Sequence, residues 1–114
     1  MRIANRDARA YVEVREEFEG SNITAWDTAS TTGTDLYVVC SYGEHFPMYI
    51  AEEHDGVVNW YGNEDKWGIT TSKHKTQARP FTDEAKSMQW FDTQQMILIM
   101  KHGITGMMAR GQRE

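Results

Sequence analysis

The chain has 114 residues and a formal net charge of −5, with 12 Lys and Arg against 17 Asp and Glu. This length predicts a single domain, residues 1–114, with a modest core, and the acidic balance argues against a protein that coats nucleic acid without specificity. The single cysteine, Cys40, excludes an internal disulfide bond. No apolar run reaches the roughly 20 residues of a membrane span. Because the N-terminus also lacks the apolar core of a signal peptide, we expect a soluble, cytoplasmic protein that does not contact membranes.

The N-terminal residues predict a short helix followed by an acidic cluster. Asn5 can cap the helix, and Asp7 is well placed in its first turn. Residues 10–14 also alternate like a strand, so both structures stay open at this point. The apolar positions with a rough helical spacing are Ala8, Tyr11, Val12 and Phe18. Residues 27–35 are small and polar, which predicts a loop, and a mobile one.

Three segments predict an antiparallel meander. Residues 36–42 are β-branched and aromatic on both faces, which is typical of a central strand. Residues 46–51 and 57–61 are predicted to follow as strands, joined by Asp55-Gly56, a strong hairpin signal.

The C-terminal part predicts a buried helix. Asp92 is its expected cap, and Gly103 fits the position just after its end. The fold class is therefore predicted to be α+β, a small antiparallel sheet of three to four strands with an N-terminal and a C-terminal helix. The core side chains expected to be buried together are Val38, Cys40, Met48, Ile50, Ile97 and Met100.

A basic segment, residues 66–79, stands out on this acidic chain. It contains four Lys and Arg side chains and no carboxylate, whereas the rest of the chain has 8 basic against 17 acidic side chains. Such charge asymmetry often marks a binding surface. The candidate binding residues in and beside the segment offer charge, hydroxyl groups, amides and aromatic rings. They are Trp60, Tyr61, Asn63, Lys66, Trp67, Thr70, Thr71, Ser72, Lys73, His74, Lys75, Gln77 and Arg79.

A purely structural role for the same residues is an equally good interpretation. The Thr-Thr-Ser run at residues 70–72 can cap or turn the backbone. The lysines can face water or offset Glu64 and Asp65, and the tryptophans can belong to the core.

Motifs for catalysis or metal binding are weak. The chain has no phosphate-binding glycine loop and no His-Glu-x-x-His pattern. Residues 52–55, Glu-Glu-His-Asp, are better interpreted as a hydrophilic hairpin tip than as a metal site. Ser41 or Ser72 could pair with a nearby histidine, but such combinations are common in proteins of this size. We therefore assign no catalytic residue, no metal ligand and no cofactor.

Three sequence blocks carry a resemblance. They are Ser41-Tyr-Gly-Glu-His-Phe-Pro47, Trp60-Tyr-Gly-Asn-Glu-Asp-Lys66 and Thr70-Thr-Ser-Lys-His-Lys-Thr-Gln77. In this combination the chain resembles a family of small tailed-phage proteins of unassigned function, although Trp67 stands where a tyrosine is usual. The resemblance covers about half of the chain and transfers no catalytic residue. It implies a phage protein acting in the cytoplasm of an infected bacterial host.

From this resemblance, the favoured function is a non-catalytic phage accessory protein. It would bind and modulate or inhibit a host protein or protein complex, such as a host-defence (anti-CRISPR-like) complex. A nucleic-acid-binding protein that uses residues 66–79 is the first alternative, and a small enzyme of unknown reaction is the second. The sequence does not predict an oligomeric state.

Overall fold

A six-stranded sheet forms the centre of the computed structural model, which describes residues 1–66 and 68–111. The strands lie side by side in the order in which they occur in the chain. They are β1 Phe18–Glu19, β2 Ile23–Ala29, β3 Asp35–Ser41, β4 Phe46–His54, β5 Val57–Asn63 and β6 Gln89–Phe91. The first five pair antiparallel, and β6 pairs parallel with β5. The predicted α+β class is confirmed, but the sheet is mixed, and three to four strands was too few.

Helices cover both faces of the sheet. They are α1 Ala8–Glu13, α2 Ile69–Ala78 and α3 Thr93–Gly111, with 3-10 turns at Asn5–Asp7 and Glu84–Ser87. One core contains Val12 of α1 and Ala78 of α2, and the other contains Met96 and Ile99 of α3. The sheet therefore separates an α1/α2 layer from an α3 layer.

The central strand β3 is buried on both faces, as its sequence predicts. Tyr37 and Val39 face the α1/α2 core, whereas Val38 and Cys40 face the α3 core. Burial raises the pKa of the Cys40 thiol, so this cysteine behaves as a small apolar side chain.

A β-bulge in β4 overturns part of the predicted core. Val39 pairs with Tyr49 but Cys40 pairs with Pro47, so Met48 is an extra residue in its strand. The bulge breaks the alternation, and Met48 and Tyr49 both face the α1/α2 core. Met48 is therefore not buried together with Val38, Cys40 and Ile50, contrary to our prediction. Met100 does pack against that cluster, whereas Ile97 is only half-buried.

The N-terminal helix exists, but Asn5 does not cap it. The Asn5 side chain has no capping hydrogen bond to the helix and instead donates Nδ2 to the carbonyl oxygen of Ser21 at 2.7 Å. The strand alternative for residues 10–14 is wrong, because Ala8 and Val12, four residues apart, bury one face of α1. Phe18 belongs to β1.

Asp92 caps α3, as predicted. Its Oδ1 accepts the Gln95 backbone N–H at 2.8 Å, and Gln95 Oε1 accepts the Asp92 N–H at 3.0 Å. This reciprocal arrangement is a capping box. Asp65 adds a further acceptor, since its Oδ2 takes the backbone N–H and the hydroxyl of Thr93.

Gly103 interrupts α3, and the helix then resumes. Its φ of 73° and ψ of 176° are not helical, so the predicted helix end is correct locally, but residues 104–111 continue as a second helical part. The interruption leaves backbone carbonyl groups without helical partners on one side and N–H groups on the other. Met107 of the second part is buried, whereas Met108 is 44% exposed.

The loop predicted within residues 27–35 contacts this interruption of α3. Residues 27–29 continue β2, and the following loop is tied to α3. The Thr31 N–H donates to the Lys101 carbonyl at 2.9 Å, and the Thr32 hydroxyl donates to the His102 carbonyl at 3.1 Å. Glu52 accepts the Ile104 N–H at 3.0 Å. The loop and Glu52 thus provide hydrogen-bond partners at both broken ends. The predicted loop over residues 27–35 was too long, because residues 27–29 belong to β2 and Asp35 begins β3.

Candidate binding surface

Helix α2 contains most of the basic segment and distributes it over two surfaces. One groove of about 750 Å³ is lined by Thr70, Lys73, His74 and Gln77 together with N-terminal residues. The other side of the helix contributes to a smaller pocket of about 240 Å³ at the β6 side of the sheet. That pocket is lined by Tyr49, Lys66, Ser72, Lys75, Thr76, Arg79 and Trp90. The segment is therefore not one continuous site.

Five other sequence candidates lie inside the protein or outside the described residues. Trp60 is buried in the α1/α2 core and meets Tyr37 edge-on, and Tyr61 is buried in the α3 core. Asn63 is fully buried and donates to the Pro47 carbonyl at 2.9 Å. Trp67 lies outside the described residues. Thr71 is also buried, on the inner side of α2.

Ser41 and His74 form a buried pair beneath α2. Ser41 Oγ and His74 Nδ1 are 2.7 Å apart, and Tyr42 contacts the imidazole ring. Burial, and then the charge of Lys73, lowers the pKa of His74, which favours the neutral ring. The distance suits a nucleophile and its base. However, Ser41 has no exposed surface, so a substrate cannot reach its hydroxyl in this conformation and the pair ties α2 to β3.

Two exposed aromatic rings and several cationic side chains converge elsewhere. We define the cationic–aromatic surface as Arg9, Lys66, Lys75, Arg79, Phe81 and Trp90. Phe81 is 57% exposed and Trp90 is 39% exposed. The Arg79 guanidinium carbon lies 5.2 Å from the Trp90 ring centroid and 5.9 Å from that of Phe81, and Arg9 lies 4.3 Å above Phe81. These are cation–π distances.

Backbone contacts hold this surface in place. Arg9 donates to the carbonyl groups of Thr76 and Arg79 at 2.7 and 2.8 Å, which satisfies the C-terminal end of α2. Glu13 accepts the Phe81 N–H at 2.7 Å. Helix α1 thus fixes both the end of α2 and the start of the following segment.

Gly62 makes room for the Trp90 ring. The two residues pair across β5 and β6, and a Cβ atom at Gly62 would lie 2.6 Å from Trp90 Cζ3. An aromatic ring over a cross-strand glycine shields the backbone. Trp90 is therefore held against the sheet with one part of its ring exposed.

The cations of this surface repel one another. Burial lowers the pKa of Lys75; Asp65 opposes this effect, and Lys66 and Arg79 add to it. Lys75 Nζ donates to the Asp65 carbonyl oxygen at 3.1 Å. The Asp65 carboxylate accepts the two Thr93 hydrogen bonds, which lower its pKa. The Asp65 carboxylate is therefore occupied by its hydrogen bonds to α3. The nearby positive charges can still attract an anionic ligand.

Sequence reasoning missed Arg9, Phe81 and Trp90. These residues lie outside the basic segment, and the parallel pairing of β6 with β5 brings Trp90 beside α2. One signal was present in the sequence: Lys75 and Arg79 are four residues apart, so a helical segment would place them on one side.

The hairpin tip has the predicted hydrophilic character. Asp55 and Gly56 have φ angles of 51° and 81°, as the expected turn requires. His54 Nε2 lies 3.3 Å from Asp55 Oδ2 with both side chains largely exposed, whereas Glu52 is buried and faces α3. In the part of the chain that the structure describes, no three His, Cys, Asp or Glu side chains converge as a metal site.

Comparison with known proteins finds no matching family model, no matching curated protein and no matching solved structure. Within residues 1–66 and 68–111, no helix is both long and apolar enough to cross a lipid bilayer.

Proposed function

We propose that this protein is a non-catalytic binding protein that contacts a host protein through its cationic–aromatic surface. The observation that carries the proposal is the side-by-side exposure of Phe81, Trp90 and Arg79. Tryptophan and arginine dominate the residues that contribute most of the binding energy at protein interfaces. Large aromatic side chains exposed together on an otherwise polar surface are typical of an interaction site.

The fixed geometry of the surface favours tight binding. Arg9 and Glu13 hold the backbone at Arg79 and at Phe81, and the pairing with β5 holds Trp90. A surface that is ordered before binding loses less conformational entropy when the partner arrives.

The charge distribution indicates the chemistry of the partner. Lys66, Lys75 and Arg79 line one pocket, so the matching surface of the partner should be rich in carboxylates. A second groove, of about 320 Å³ and lined by Asp27, Asp35 and Glu53, has the opposite sign. There burial, and then Glu17, raises the pKa of Asp27. This separation of charge would orient the protein as it approaches a partner.

The phage setting comes from the resemblance of the three sequence blocks. A phage protein with a preorganised contact surface and no assigned chemistry suits a modulator or inhibitor of a host complex, such as an anti-CRISPR-like factor. The phage setting therefore predicts a bacterial host protein as the partner, which capture from bacterial lysate tests.

Capture from nuclease-treated bacterial lysate should depend on the cationic–aromatic surface. We expect Trp90→Ala and Arg79→Ala each to weaken capture of the same host protein by about 2 kcal/mol. Lys73→Ala is the matched control, because Lys73 is a cation of α2 that lines the groove of about 750 Å³ and not the cationic–aromatic surface. Each variant must retain the melting temperature of the parent chain, since Trp90 also covers Gly62. Equal capture by all four proteins would contradict the proposal.

Nucleic-acid binding is the second candidate, favoured by the pocket of about 240 Å³. Lys66, Lys75 and Arg79 can pair with phosphate, and the hydroxyl groups of Ser72 and Thr76 line the same pocket. The exposed Trp90 ring offers a stacking platform for a base.

A gel-shift series at low salt tests this second candidate. If single-stranded DNA or RNA binds here, Lys75→Ala and Arg79→Ala should lower the affinity and flatten its dependence on salt, because each lost phosphate contact releases fewer counterions. Trp90→Ala should cost about 1–3 kcal/mol, and Lys73→Ala should leave the affinity unchanged. The absence of any shift at about 50 μM protein would exclude this function, since even non-specific binders reach that range.

A further inference from the structure

A second site lies in the cleft beside the interruption of α3. The cleft has a volume of about 340 Å³ and lies on the face of the sheet opposite to α1 and α2. Strands β4 and β5 contribute Glu52, Asn59 and Tyr61, and the second part of α3 contributes Ile104 and Thr105. The cleft therefore combines polar groups with one aliphatic side chain.

Glu52 is a buried carboxylate with no ion-pair partner among the residues that the structure describes. It is 4% exposed. Within the described residues its hydrogen bonds come from neutral groups, namely the Thr34 hydroxyl at 2.5 Å, the Tyr61 hydroxyl at 3.4 Å and the Ile104 N–H at 3.0 Å. Among residues 1–66 and 68–111, no Lys, Arg or His side chain forms an ion pair with it. Buried charges in proteins are usually paired with an opposite charge or a metal ion.

Capping of α3 explains only part of this arrangement. The Ile104 N–H occupies one of about four acceptor positions of the carboxylate, and the helix end contributes a partial positive charge at most. The Tyr61 contact is close to the outer limit of a hydrogen bond. Room for at least one strong donor therefore remains.

His54 also lines the cleft, where its Nε2 lies 3.3 Å from Asp55 Oδ2, and the remaining groups match an organic cation. The side chains of Asn59 and Thr105 can accept hydrogen bonds, and Ile104 offers an apolar contact for an alkyl chain. A calcium or magnesium ion needs several oxygen ligands of high charge, whereas a guanidinium or ammonium group is satisfied by one carboxylate and a few neutral acceptors.

We propose that the Glu52 cleft binds a guanidinium or primary ammonium group that carries an aliphatic chain. The site is independent of the cationic–aromatic surface, because Glu52 faces the α3 layer and that surface is built on α1, α2, β6 and residues that flank them. The cation belongs to a small molecule or to an arginine or lysine side chain of a protein, and the experiment distinguishes the two.

An NMR titration of the full chain with n-propylguanidinium tests the proposal. We expect saturable shifts at the backbone amides of Thr34, Asn59, Ile104 and Thr105, with a dissociation constant of about 1 mM or lower. Neutral n-propylurea, which has nearly the same shape, should bind at least about tenfold more weakly. A peptide, acetyl-Gly-Arg-Gly-amide, that binds more tightly than n-propylguanidinium assigns the site to a protein side chain, and weaker binding of the peptide assigns it to a small molecule.

Matched variants make the result specific. Glu52→Gln should weaken n-propylguanidinium binding at least about tenfold. Glu53→Gln should not weaken it, because Glu53 is hydrogen-bonded to Arg15 in the groove of about 320 Å³. If Glu52→Gln does not fold, two variants of the exposed Asn59 serve as the test instead. Asn59→Asp should tighten n-propylguanidinium binding, and Asn59→Lys should weaken it. Equal binding of the urea, indifference to the Asn59 variants, or no saturation at about 50 mM cation would overturn the proposal.

Discussion

Replacement of Ile99 by alanine is expected to lower the free energy of unfolding by about 2–5 kcal/mol. Ile99 has no exposed surface and packs in the α3 core beside Met96 and Ile50. The truncation removes buried methyl and methylene groups and leaves a cavity that the sheet cannot fill. Denaturant unfolding followed by tryptophan fluorescence measures the loss, provided that the slope against denaturant stays constant.

Ile97→Ala is the matched control for this experiment. Ile97 lies in the same helix, so the change in helix propensity is the same, but its side chain is only half-buried. We expect a loss of about 1 kcal/mol or less. A larger loss for Ile97→Ala than for Ile99→Ala would mean that α3 is rotated about its axis relative to the arrangement described above.

Gly103→Ala is expected to destabilise the protein by about 2–6 kcal/mol, as the sum of backbone strain and overpacking. With φ at 73° and ψ at 176°, the residue occupies a region that is almost restricted to glycine. An added Cβ would also lie 2.5 Å from Glu52 Oε2 and 3.2 Å from the Thr32 and Thr34 hydroxyl oxygens. The methyl group would therefore disturb the contacts that satisfy both broken ends of α3.

Gly43→Ala is a control that places a side chain at a positive φ without crowding. Gly43 has the same φ of 73°, and a Cβ built there meets no atom within 4 Å. This variant should therefore lack the overpacking contribution and lose less stability than Gly103→Ala by about 1–3 kcal/mol. Equal losses measured by denaturant unfolding would show that the crowding around Glu52 contributes nothing.

The sequence predicted the charge and the residue types of the candidate site, but not how the fold arranges them. The basic segment does supply Lys66, Lys75 and Arg79 to one pocket. The sequence could not show that the basic segment is divided between two pockets, because its helical form was not predicted. Helix α2 directs Lys73 into a different groove. Burial of Trp60 follows from the position of its strand in the sheet, which composition does not reveal.

The remaining residues of the surface depend on contacts between distant parts of the chain. Arg9 reaches the end of α2 from about 70 positions earlier in the sequence. Trp90 joins the surface because β6 pairs with β5 opposite Gly62. Neither contact has a local signal, since each requires the sheet to have formed.

The sequence alone determined the features that depend on neighbouring residues. The turn at Asp55-Gly56, the cap at Asp92 and the doubly buried strand β3 all follow from local backbone preference, short-range hydrogen bonding and hydrophobic pattern. Tertiary structure alone decided which face of the sheet carries Met48, and it alone decided that the loop containing Thr31 packs on α3. The reason is that a bulge is specified by the register of two strands, and the backbone groups exposed at Gly103 could be satisfied only by segments brought there by the fold.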